Sequence, residues 1–127
     1  MIANALRALA VCGLLSGLLP ARVNAVEDGK PYDERLMRLS EILGAVHYLR
    51  ELCGANDGSL WRDRMREIME GEGSTALRRA KLTRSFNNGY RSYGRTYQSC
   101  TPSAQTAITR FLTEGNEIAE TLVKNVP

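Results

Sequence analysis

Leu82-Thr83-Arg84-Ser85-Phe86-Asn87-Asn88-Gly89-Tyr90-Arg91-Ser92-Tyr93-Gly94-Arg95-Thr96-Tyr97 is the stretch on which the fold turns. At its centre Asn88-Gly89 is a pair that ordinarily marks a turn, and two amides beside a glycine run against helix propensity. Yet Leu82, Phe86, Tyr90, Tyr93 and Tyr97 fall within roughly 80° of arc at the helical step, and the register holds across the pair. The preserved register predicts one continuous helix with an aromatic face. Gly89 then gives another helix room to approach closely, with an asparagine bonding across the gap.

Working outward, Ser74 or Thr75 can start this helix, and Thr101-Pro102 marks the next boundary, a capping hydroxyl followed by proline at a first helical position. Beyond it Ala104, Ala107, Ile108, Phe111, Gly115, Ile118, Ala119 and Leu122 recur on one stripe of a further helix. Upstream, Asp33 is a plausible N-cap for a helix in which Leu36, Leu39, Leu43, Val46 and Cys53 share a face, with Gly54 as its stop. Ala55 to Gly58 reads as a turn, and Asp57 or Ser59 can cap a short helix carrying Trp61, Met65 and Ile68 that ends near Gly71. No stretch alternates with a period of two, and no internal repeat is present. The expected fold is all-α, a small bundle of about four helices in one domain spanning 33–125, preceded by a flexible, polar stretch at 26–32.

A chain of 127 residues, 43% hydrophobic and 24% charged, is that of one ordinary globular domain, which excludes wholesale disorder and a multi-span membrane protein. Residues 1–25 follow the order of a secretory signal peptide: Arg7, an apolar run from Ala8 to Leu19, Pro20, and the small-residue site Val23-Asn24-Ala25. Cleavage after Ala25 is expected, leaving no transmembrane span. Retention as an uncleaved anchor is the main rival, and a lipoprotein reading through Cys12 is weaker. Removal of Cys12 with the leader leaves Cys53 and Cys100 as an even pair in an oxidising compartment, so a disulfide between them follows by elimination. The alternative is two buried free thiols. The chain has no Cys-x-x-Cys pair to support a thioredoxin-like role.

Charge is segregated. From Gly73 to Thr113 the chain carries Arg78, Arg79, Lys81, Arg84, Arg91, Arg95 and Arg110 and no acidic residue, while the acidic groups lie in the other segments. On a helical projection Lys81, Arg84, Arg91 and Arg95 lie opposite the aromatic face, as a stripe that faces solvent. Such a stripe suits an anionic partner, such as lipid head groups, an acidic polymer or an acidic protein. It equally describes an ordinary solvated face. Nucleic acid is a poor candidate, because stacking platforms need aromatic side chains beside the basic ones.

Other residues invite chemistry individually. His47, the single histidine, lacks a local nucleophile and orienting partner, and reads as structural. Arg50 projects into the apolar stripe between Val46 and Cys53, so it must reach solvent, bond the last carbonyls of its helix or meet a facing carboxylate; an anion pocket is the minor reading. Trp61, Tyr90, Tyr93 and Tyr97 read as core. Glu67, Glu70 and Glu72 read as solvated helix-surface carboxylates. There is no zinc motif, phosphate loop or nucleophile elbow in the sequence, and no cofactor is implied.

The leader together with Arg50-Glu51-Leu52-Cys53-Gly54, Trp61-Arg62-Asp63-Arg64-Met65, Phe86-Asn87-Asn88-Gly89-Tyr90 and Tyr97-Gln98-Ser99-Cys100-Thr101 resembles a family of exported alphaproteobacterial proteins of unknown function, DUF2385. The resemblance runs from about Arg35 to Leu122 and implies a periplasmic address and a disulfide. It lends no activity. The expectation is a non-enzymatic periplasmic or envelope-associated binding or accessory module. It would contact an anionic envelope component or envelope protein through Lys81, Arg84, Arg91 and Arg95, or through a groove near Arg50, Asn87 and Tyr90. The alternative is a small envelope enzyme acting on cell-wall material through a cleft where His47, Arg50 and Asn87 converge. A subunit of a larger complex is a third reading, and the oligomeric state is open.

Overall fold

The computed structural model of the chain describes residues 29–125. The stretch read as a signal peptide, with Cys12, lies outside them. Four helices follow one another: α1 (Asp33–Leu52), α2 (Leu60–Glu72), α3 (Ala76–Thr96) and α4 (Pro102–Asn125), with no strand among the described residues.

The α1 helix is the centre of the bundle. Residues from Ile42 to His47 are consecutively buried, so it is covered on every side, where the sequence suggested a single apolar face. Contacts along α1 fix the direction of its neighbours. Asp33 meets Arg78, and Tyr48 donates to the Tyr97 carbonyl at 2.5 Å, so α1 and α3 run parallel. Arg38 grips Glu114 through two bonds of 2.8 and 3.0 Å and Cys53 is joined to Cys100, which makes α4 antiparallel to α1. The α2 helix is the return stroke between the two parallel helices.

The closest approach is between α1 and α3, where two glycines face each other's backbone. A Cβ on Gly44 would collide with the Phe86 carbonyl and crowd the Tyr90 nitrogen at 3.0 Å, and a Cβ on Gly89 would collide with the Glu41 carbonyl and crowd the Ala45 nitrogen at 3.0 Å. The helix is continuous through Asn88-Gly89, as its aromatic register indicated. Gly89 serves close packing, but among the described residues neither Asn87 nor Asn88 makes a side-chain hydrogen bond across the crossing. The crossing point is a backbone contact, flanked by the packing of Phe86 and Tyr90 of α3 against His47 and Tyr48 of α1.

Helix ends follow the sequence with two exceptions. Gly54 adopts φ +77°, and Gly54 N–H and Ala55 N–H donate to the Glu51 and Arg50 carbonyls, a Schellman ending that satisfies the last carbonyls of α1. The Thr75 hydroxyl accepts from Arg78 N–H at 3.1 Å, and the Thr101 hydroxyl accepts from Ala104 N–H at 3.1 Å with Pro102 behind it. Asp33, by contrast, is not the cap of α1. It lies inside the first turn, with Tyr32 at the cap position, because its carboxylate is drawn to Arg78 and to Lys30 N–H. The second exception is the start of α2, where Ser59 holds the cap position but its hydroxyl caps no backbone N–H and instead donates to Asp63 at 2.8 Å; the helix ends at Glu72, beside the expected Gly71.

Arg78 closes one pole of the bundle. It is 3% exposed, hydrogen-bonds Asp33 Oδ2 at 2.7 Å with Oδ1 in ion-pair contact at 2.6 Å, and donates to the Glu72 carbonyl at 2.5 Å and the Glu72 carboxylate at 3.2 Å. The Tyr32 hydroxyl donates to the same carboxylate at 2.9 Å. Glu72 is therefore a structural partner, where the sequence placed it on a solvated surface. The start of α1, the end of α2 and the start of α3 meet on one guanidinium. At the opposite pole the disulfide, with its Cα atoms 4.8 Å apart, joins the end of α1 to the start of α4.

Two outcomes are expected. Gly44→Ala and Gly89→Ala each force the two backbones apart and lower unfolding free energy by at least about 2 kcal/mol, read from urea midpoints. Reduction removes a closed loop of 47 residues, and the same titration with dithiothreitol loses about 4 kcal/mol in the chain-entropy picture.

Candidate functional site

The outer face of α3 is positioned by its inner one. With Gly89 against α1 and Tyr93 edge-on to Phe111 of α4 at 4.9 Å, the opposite side of the helix points away from the bundle. Lys81, Arg84, Arg91 and Arg95 are all exposed there, with Asn88 between them. None of the four makes an ion pair with a carboxylate among the described residues. Two other basic side chains of the charge-segregated segment behave differently: Arg78 is buried in its carboxylate clasp, and Arg79 donates to the Gly73 carbonyl at 2.8 Å; Arg110 is exposed on α4, away from the stripe. From Lys81 to Arg95 the stripe extends about 21 Å at the helical rise. Lys81, at one end, borders the depression that holds Asp33, and Arg84, Arg91 and Arg95 form the part of the stripe with no carboxylate paired to it among the described residues.

The remaining candidates occupy three separate places. Tyr90 points inward, packed against His47 and Tyr48 with ring centroids at 5.5 and 5.4 Å. Asn87 is half-buried on the flank of α3. Arg50 is clamped by Asp57: its Nε meets one carboxylate oxygen and its Nη2 the other at 2.9 Å. Of the alternatives open to Arg50 the structure has the facing carboxylate, in the turn just after its own helix. Trp61 Nε1 also donates to Asp57 at 2.8 Å, and these donors, Arg50 first, pull the Asp57 carboxyl down to about 2. Asp57 thus pins the α1–α2 turn, and α2 starts after Ser59.

His47 lines a cleft of about 330 Å³ with Glu51, Asp57 and Arg62, whereas Arg50 borders a different depression beside Cys53, Gln105 and Ile108. Asn87 borders neither. The three side chains therefore do not converge on one cavity. His47 itself is 7% exposed, and its Nε2 is enclosed without a hydrogen-bond partner among the described residues. Burial, reinforced by the nearby Arg62 charge, lowers its pKa. No group of three or more metal-ligating side chains is present among the described residues.

A second concavity was not legible in the sequence. The α2 and α4 helices both pack on α1 but not on one another, so a trough of about 470 Å³ opens between them. Its floor is Leu39, Ile42, Leu43 and Val46 of α1. Its walls are Trp61 and Ile68 on one side and Phe111, Leu112 and Ala119 on the other, and only Arg64, Glu67 and Asn116 at the rim are polar. The apolar stripes of α1, α2 and α4 were visible individually; the gap depends on how far apart α1 holds the other two.

The chain belongs to a family described as protein of unknown function (DUF2385), whose model matches residues 31–126. No curated protein and no solved structure matches the chain. The class defined by fold and family is a disulfide-linked four-helix domain whose activity is not assigned.

His47 makes stability depend on pH. Its folded pKa lies below the ordinary value, so the unfolded chain takes up the proton first and acid favours unfolding. Stability should be full above about pH 6.5 and should fall as pH drops through that value toward the folded pKa. Unfolding midpoints measured from pH 7.5 to 5 should show this slope, and His47→Leu should flatten it.

Proposed function

We propose that this chain is an exported, non-enzymatic binding or accessory module of the cell envelope that contacts an anionic component or partner protein through the outer face of α3. The observation that carries this reading is the stripe of Lys81, Arg84, Arg91 and Arg95, exposed and without ion-pair partners among the described residues. Unpaired cations on one rigid helix focus positive potential along a line, which raises the encounter rate and the affinity for an anionic surface. The order of charged, apolar and small residues in 1–25 supports export. A disulfide between Cys53 and Cys100 is consistent with an oxidising compartment. The separation of His47, Arg50 and Asn87 leaves the enzymatic alternative without the cleft it needed.

The test uses the oxidised chain lacking residues 1–25, immobilised and exposed to envelope extract. Capture should weaken steeply between low and physiological salt, as expected for contacts screened over about 8–10 Å. The triple variant Arg84→Glu, Arg91→Glu, Arg95→Glu should lose capture by at least about tenfold while keeping its helical circular dichroism. Undiminished, salt-insensitive capture by that variant would refute the reading.

A further inference from the structure

We infer that the trough between α2 and α4 is a binding site for a single-chain amphiphile, with the hydrocarbon against α1 and a zwitterionic head group at the rim. This site lies on the far side of α1 from the α3 stripe and does not rest on the reading above. Its volume, about 470 Å³, falls within the range of small-molecule sites, which are mostly apolar with a few placed polar groups. Here the apolar part is the floor and both walls, with Ile42, Leu43, Val46 and Phe111 already buried beneath it. Leu39, Ile68, Leu112 and Ala119 keep partial exposure inside it, so apolar surface remains for a ligand to cover.

The rim selects the head group. Arg64 and Glu67 stand together on the α2 edge, 3.1 Å apart, with side chains 56% and 63% exposed. An ion pair this exposed is weak and can exchange partners with a ligand. Asn116 is exposed on the opposing α4 edge, offering an amide that both donates and accepts. A wholly anionic head would meet Glu67 and a wholly cationic one Arg64. A head carrying both charges satisfies both.

Trp61 is the single tryptophan and forms part of the wall, so its emission reports occupancy directly. Titration of the chain lacking residues 1–25 with dodecylphosphocholine below its micelle concentration should shift Trp61 emission saturably, with one molecule bound per chain by native mass spectrometry. Ala119→Trp plugs the trough and should weaken binding at least tenfold by the mass readout. Ile68→Ser, a milder change on the opposite wall, should also weaken it if the larger residue fails to fold. Arg64→Ala with Glu67→Ala should weaken dodecylphosphocholine while sparing dodecyl maltoside, whose head group is uncharged. The α3 triple reversal should bind as the parent does, which separates failure here from failure of the envelope-contact reading. Non-saturable binding, equal binding by Ala119→Trp, or a dimer that Ala119→Trp dissociates would overturn the proposal, the last by assigning the trough to a second copy of the chain.

Discussion

Everything in this bundle is arranged around the contact of two helix backbones. Gly44 and Gly89 let α1 and α3 approach until a methyl group on either would strike the other's carbonyl, and that separation places every side chain in the neighbouring layers. Because the helices are parallel, the contact cannot be made by a short hairpin; α2 has to carry the chain back. With α3 so close on one side, α1 is left with two other flanks, and α2 and α4 take one each. The trough between them is a by-product of that division, since neither outer helix is near enough to the other to seal it.

Two unlike devices hold the ends of this arrangement. One pole has a buried guanidinium shared by two carboxylates and a carbonyl. Its desolvation is offset by a nearly complete set of charge-assisted bonds, and such a set specifies geometry even where it adds little net stability. The Asp33 carboxyl, bonded by Arg78, is held below the usual carboxylate range, and the Tyr32 hydroxyl, donating to Glu72, is pushed up. The other pole is covalent. Its neighbours are the Tyr48 bond to the Tyr97 carbonyl and the Arg50–Asp57–Trp61 group, which fix the turns flanking the disulfide. The two poles keep α1 from sliding along α3, a motion that a smooth glycine contact alone would not resist.

Much of this was legible from residues alone, and the reasons differ by element. Local signals carried the boundaries at Gly54, Thr75 and Thr101-Pro102, because capping chemistry is set by a few adjacent atoms. The continuity of α3 was legible because five large apolar residues outvote one Asn-Gly pair. The pairing of Cys53 with Cys100 was legible from number, once Cys12 was set aside with the expected leader. Distant partners were not legible: Arg78 looked like one more member of the basic run until Asp33 and Glu72 were brought to it from 45 and 6 residues away. Gly44 gave no signal, since a glycine within an apolar run does not announce what approaches it. Of the candidate site, the stripe on α3 could be read as a projection of one helix, whereas the trough depends on three.

The linkage between Cys53 and Cys100 also decides how force would pass through the molecule. The first residue of α1 and the last of α4 lie at the same pole, because the two helices are antiparallel. Tension applied at those ends would peel them apart like a zipper, beginning near Leu36 and Leu122, and would stop at the sulfur bridge. The chain between the two cysteines, with the whole of α2 and α3, lies off the load path. Only a reducing environment would let a pull extend α3, and with it the face that carries the basic stripe.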